Sequence, residues 1–215
     1  QSLRKRDRIT REAAQWMWMA THDAYMIGTK WLRPNMSPEQ RDRATCKKCG
    51  SIETMDHILF ECEAKGRKEI WKLLDKAWRA SGGRRLKPSW GTIIAAGNAE
   101  IKMRNGKKNH DAEKRWAILI SESAYLVWKL RCERVIANNG DEFSNKEIEN
   151  RWYATIDRRL TLDRRVATLT ESEKKRKAMI ASVERVWGTL IDDSESLRHD
   201  WVTNRGVLVG IKRGR

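Results

Sequence analysis

The stretch that most narrows what this chain can become is CKKCGSIETMDHILFEC, residues 46–62, which holds three of the four cysteines and one of the four histidines. Its candidate ligands are spaced Cys46-x2-Cys49-x7-His57-x4-Cys62. Two residues between the first thiols form a tight knuckle that turns both sulfurs toward one point. Gly50 follows, where the backbone has to turn inward and a Cβ is expected to clash. Cysteine is also among the most buried residue types, and a lone histidine on an apolar face usually sits satisfied in the core. Three cysteines and a histidine at knuckle spacing outweigh that reading. They are the donor set that Zn²⁺ takes in a tetrahedron, with bonds of about 2.3 Å to sulfur and about 2.0 Å to nitrogen. All four positions are then filled and none is left for a reacting water, so the expected ion is structural. One tension remains inside the set. His57 and Cys62 are five residues apart, about 140° around an ideal α-helix, so the segment has to bend or the ion has to sit at its end.

The rest of the chain reads as helical. Only three prolines and thirteen glycines interrupt 215 residues. Thr10 is placed to cap a first helix, with Ala13, Met17, Ala20, Ala24 and Gly28 at helical spacing and Pro34 and Pro38 stopping it. Ile70, Leu73, Leu74, Ala77 and Trp78 make an apolar stripe that Gly82-Gly83 ends. PSWGTIIAAGNA reads as a short helix and MRNGKKNHD as a basic loop. From Asp111 to about Asn138, Trp116, Leu119, Ile120, Ser123, Val127 and Leu130 repeat at three and four, and Asn139-Gly140 terminates the run. Ser144 with Glu147, and Thr170 with Glu173, carry capping-box spacing for two further helices. GVLVGI near the end reads as a short strand or a docked tail. The expected fold is mainly α, a helical protein with one small zinc knuckle. Its expected organisation is a lead-in plus knuckle over 1–80, a basic linker over 81–109 and a helical bundle over 110–215.

Charge points to a class of partner. Lys and Arg number 45 against 29 Asp and Glu, a formal net charge of +16, which suits nucleic acid, an anionic membrane surface or an acidic protein. No run of eighteen apolar residues crosses a membrane. The crowded cysteines and the lack of a charged-then-apolar leader favour an intracellular home. Gln1 at the start reads as the sign of a piece of a longer protein, or of a processed one. The candidate phosphate contacts are Arg4, Lys5, Arg6, Arg8 and Arg11 in an N-terminal arm, and Lys107 and Lys108 in the basic loop. Arg151, Arg158 and Arg165 recur every seven residues along one helix side, with Arg159 beside them. Among the tryptophans, Trp71, Trp116, Trp128, Trp152 and Trp187 fall on or beside apolar stripes and read as core. Trp16 and Trp18 cannot both face inward, so one of them is expected at the surface.

CKKCGSIETMDHILFECEAKGRKEIW resembles the zinc-binding segment that follows the reverse transcriptase and ribonuclease H regions of non-LTR retrotransposon polyproteins. AAQWMWMATHDAYMIGTKWL resembles its helical lead-in, and SESAYLVWKLRCERVI, NRWYATIDRRLTLDRR and DWVTNRGVLVGI are similar to the C-terminal continuation of fungal members. The resemblance implies Cys46, Cys49, His57 and Cys62 as ligands. It also implies RNA or DNA as partner together with the upstream domains of the same polyprotein, and a nuclear location with cytoplasmic assembly. No YxDD polymerase motif is present, nor a ribonuclease H carboxylate set. Related site-specific elements place a nuclease after this motif, with Pro-Asp and Glu-x-Lys on a small sheet. Here Pro88 is followed by serine, and the Glu171–Lys174 run falls on an expected helix.

Overall fold

A computed structural model of the chain describes residues 3, 7–85, 87–138, 140–191, 199–204 and 209–213. Its α-helices in chain order are α1 (Arg11–Thr21), α2 (Pro38–Arg41), α3 (Arg67–Ala80), α4 (Trp90–Ile94), α5 (His110–Ile136), α6 (Asn145–Leu169) and α7 (Glu173–Trp187). Among the described residues there is no sheet, only isolated antiparallel bridges at Thr45/Ile52, Lys102/Lys108 and Ile191/Ile211. Of the expected C-terminal strand, the described residues show the bridge at Ile211, and residues 205–208 lie outside them.

The 27-residue α5 is the axis of the fold. It is buried around most of its circumference because neighbours cover it on several sides, and it packs against α1, α3, α4, α6 and α7. One buried cluster runs from Ile9 to Ile211. The segments expected as separate units over 1–80 and 110–215 therefore share a core, and 81–109 contributes α4 to it rather than serving as a linker. Trp116, Trp128, Trp152 and Trp187 are buried and Trp71 packs against the same core. Trp16 is buried, whereas Trp18 is 55% exposed.

Helix starts follow the expected chemistry. Thr10 Oγ1 accepts from Ala13 N, and Ser144 Oγ accepts from Glu147 N. The Glu147 carboxylate accepts from Arg151 at 2.7 Å, so only half of the capping box forms. The start of α7 is displaced by two residues from the expected one: Ser172 is its cap, and Thr170 ends α6.

The first helix is shorter than the apolar spacing suggests. α1 stops at Thr21 because Asp23 adopts a left-handed conformation, φ 48°. Ala24 N then donates to Met19 O and Asp23 N to Ala20 O, the paired bonds that close a helix C-terminus when the residue past the cap turns left-handed. Ala24 and Gly28 consequently lie beyond the helix. Gly28, with φ 56°, sits so close to the Glu53 carbonyl that a Cβ would lie 2.0 Å from its oxygen.

Candidate metal centre and basic surfaces

Four ligand atoms from Cys46, Cys49, His57 and Cys62 lie within 4.8 Å of one another. The sulfurs of Cys46 and Cys62 are 3.8 Å apart and those of Cys49 and Cys62 are 3.9 Å apart. Tetrahedral coordination with bonds of about 2.3 Å gives sulfur–sulfur edges of about 3.8 Å, so the cage has the dimensions of a metal site. A disulfide, at about 2.0 Å, is excluded by the same distances.

Local structure explains how the knuckle is built. Thr45 and Ile52 bridge, Cys46 N donates to Ser51 O at 2.8 Å, and Gly50 N donates to Cys46 O at 2.8 Å. Gly50 turns the chain with φ 69°, but nothing lies within 4 Å of where its Cβ would be. The glycine is therefore there for its backbone conformation, not for the steric reason expected. Glu63 N donates to Cys49 Sγ at 3.2 Å.

The His57–Cys62 tension is resolved by the helix type. His57–Glu61 is a π-helix, and Cys62 N donates to His57 O at 2.7 Å. An i→i+5 turn brings the fifth residue round toward the first, so imidazole and thiol share a face that an α-helix would separate. Thr54 Oγ1 receives His57 N at 3.0 Å and opens this turn.

The donor set fits a metal on two further grounds. His57 Nε2 is buried without a partner, while Nδ1 faces Ser51 Oγ at 3.4 Å and Glu61 at 4.0 Å. A ligating histidine is commonly held in this way through its second nitrogen. Burial beside Cys46 pushes the Cys62 thiol up to about 12. A thiol held out of water in this way ionises readily only beside a cation. Cys132, the remaining cysteine, lies away from the cage, half-buried on α5.

The knuckle is pinned to α5 by Glu53 and Arg131, both buried and joined by a two-pronged ion pair. Arg134 Nη1 donates to Lys65 O, and Arg67 Nε donates to Cys62 O at 2.7 Å. None of these contacts was apparent in the sequence. The available signal is charge at Arg131 and Arg134 on the same long helix as the apolar repeat.

The basic residues divide into two sorts. Arg159 is buried, paired with Asp163 at 3.0 Å and donating to Asp7 O at 2.9 Å. Arg8 reaches Gly97 O and Glu113. Both are fold-holding cations with little surface left for a phosphate. Arg151 bridges α6 to Glu133 of α5 through bonds of 2.5 and 2.8 Å. Arg11, Lys107, Arg158 and Arg165 are exposed, and Lys108 is exposed but pairs with Glu100. Arg4, Lys5 and Arg6 lie outside the described residues.

A cluster that sequence reasoning passed over lies between α1, α5 and α6. Glu122 is buried, and burial raises its carboxyl above the ordinary range against the opposing pull of Thr10 and Arg159. Thr10 Oγ1 donates to Glu122 Oε1 at 2.8 Å. No described helix is long and apolar enough to cross a membrane. Among protein-family models, curated proteins and solved structures, none matches this chain.

Proposed function

We propose that this chain is a non-catalytic nucleic-acid-binding module whose knuckle holds a structural Zn²⁺ on Cys46, Cys49, His57 and Cys62. The observation that carries this reading is a sulfur cage of metal-site dimensions in a chain with a net charge of +16. Sulfur-rich tetrahedral donors select zinc over the oxygen-seeking divalent ions. The ion closes the knuckle and supplies no chemistry. Exposed Arg11, Lys107, Arg158 and Arg165 supply phosphate contacts, and the module holds template RNA or target DNA for a polymerase and ribonuclease H region in the same polyprotein. Its place of action is the nucleus, after assembly in the cytoplasm. Titration against single-stranded RNA and duplex DNA at rising salt tests the reading. Affinity falls linearly on logarithmic axes as added salt diminishes the gain from counterion release; a flat response, or no binding at low salt, contradicts it.

A second reading, a scaffold that docks on the upstream polymerase and ribonuclease H domains, is favoured by one feature. Leu162, Val166 and Leu169 are 46%, 47% and 63% exposed and recur along one side of α6 at the spacing of a binding stripe. Under that reading the isolated chain self-associates until its neighbour is added. A nuclease remnant finds no support, since the described residues form no sheet to carry the paired catalytic motifs, and Glu173 pairs with Lys177. Incubation with supercoiled DNA and Mg²⁺ or Mn²⁺ is expected to leave the DNA intact.

A further inference from the structure

We infer that the cleft between α1, α5 and α6 takes one unstacked base of a single strand, guanine in preference to the others; the inference rests on the nucleic-acid reading above and names the site and the ligand. The cleft has a volume of about 510 Å³, and Glu122 lies among its lining residues. The Glu122 side chain belongs to a residue only 7% exposed. One of its oxygens accepts from Thr10 at 2.8 Å, and the other has no partner among the described residues. A carboxylate can only accept hydrogen bonds, so an oxygen that opens on the cleft is placed to receive a donor. The floor of the cleft is thus built for a ligand that donates.

The rim carries one carboxylate, Glu12, and an excess of cations. Lys129, Arg158 and Arg165 line the same cleft, and none of them forms an ion pair with a described carboxylate. Lys129 instead lies over the Tyr125 ring, 4.8 Å from its centroid. Arg158 and Arg165 are seven residues apart on one helix, about 10 Å along its axis. That span is too long for a single phosphate and suits neighbouring phosphates of a strand. Leu162 adds an apolar surface between the two arginines.

A ligand that is anionic along its backbone and offers hydrogen-bond donors at one edge is a nucleic-acid strand with a base turned inward. Guanine presents two adjacent donors on its pairing edge, matching both oxygens of a carboxylate, whereas adenine, cytosine and uracil present fewer. The larger cleft beside Cys46, about 620 Å³, is a weaker candidate: its Lys48 is already paired with Glu142 at 3.7 Å.

The test uses the metal-loaded full chain and fluorescence anisotropy with labelled decauridylate carrying one central guanosine, adenosine or cytidine. The wild type is expected to bind the guanosine strand about tenfold tighter than the other two. Glu122→Gln keeps its helical circular dichroism and metal content but loses that preference. The double variant R158A/R165A weakens all three strands together and keeps the ratio, because phosphate contacts carry no base information. Free guanosine monophosphate competes poorly. Equal affinity for the three strands, a preference that survives Glu122→Gln, or competition by the mononucleotide as effective as by the strand overturns the cleft assignment while leaving the nucleic-acid reading in place. Failure of every strand to bind at low salt removes that reading and the cleft with it.

Discussion

The helical body buries Trp16, Trp152 and Trp187 almost completely within a cluster that reaches from Ile9 to Ile211. Residues 45–54 have nothing comparable. The apolar cluster beside them holds Cys46, Cys62 and Ala64, with Cys49 packed at the edge. The body is therefore held by apolar area removed from water, whereas the knuckle has a four-donor cage of metal-site dimensions and its ties to α5. The boundary falls inside one short segment, since Ile58 and Leu59, on the turn that carries His57, belong to the large core. The metal-binding turn thus has one face anchored without metal, and the hairpin opposite it does not. The difference teaches that burial and ligation can be divided between two sides of one site.

The largest effect expected from breaking this comparison is loss of the metal. Binding of structural zinc contributes on the order of 10 kcal/mol in free peptides. Cys49→Ser, or a strong chelator, should strip protection from amides of residues 45–54 in hydrogen-exchange mass spectrometry while the centre of α5 stays protected. Loss of protection across α5 and α6 together would show that the two regions are not independent.

The tie between them comes next. Arg131→Ala leaves Glu53 charged and buried, at a cost of about 3–5 kcal/mol, read as a lower denaturation midpoint. Replacing both partners by apolar residues of similar volume, E53L with R131M, should recover most of the loss. A double variant as unstable as the single one contradicts a simple ion pair.

A smaller effect sharpens the contrast within the body itself. Burial raises the Glu122 carboxyl above its ordinary value of 4.5 in the folded state. The folded protein then holds that proton more tightly than the unfolded chain, so stability falls as pH rises from the ordinary value through the folded one. Glu122→Gln is accordingly expected to raise the melting temperature at pH 7, with the gain vanishing below pH 4. A gain that persists in acid would assign it to something other than ionisation. The smallest effect belongs to Trp18→Ala: an exposed aromatic on α1 should change stability by no more than about 0.5 kcal/mol while removing the most solvent-sensitive tryptophan emission.

How much of this was legible in the sequence depended on the range of the interactions. α3, α5 and α6 follow from apolar spacing and capping residues because those signals act within a turn or two. The convergence of the four donors was legible for a similar reason, since they fall within one short stretch. The π-turn that lets His57 and Cys62 converge was visible only as a geometric difficulty. The left-handed Asp23 hid the end of α1, since glycine is the usual marker of that conformation. Glu53 and Arg131 are 78 residues apart, and no local pattern pairs them. Arg8 and Arg159 looked like surface cations because Gly97, Glu113 and the Asp7 carbonyl come from distant parts of the chain; only Asp163, four residues from Arg159, is local.

X-ray absorption at the zinc edge of protein grown with zinc as the sole added transition metal probes the sulfur cage most directly. One zinc per chain, with three sulfurs at about 2.3 Å and one nitrogen at about 2.0 Å, is the predicted result. Protein that is folded at residues 45–62 yet carries no stoichiometric metal, or a shell made only of oxygen and nitrogen, would contradict the account.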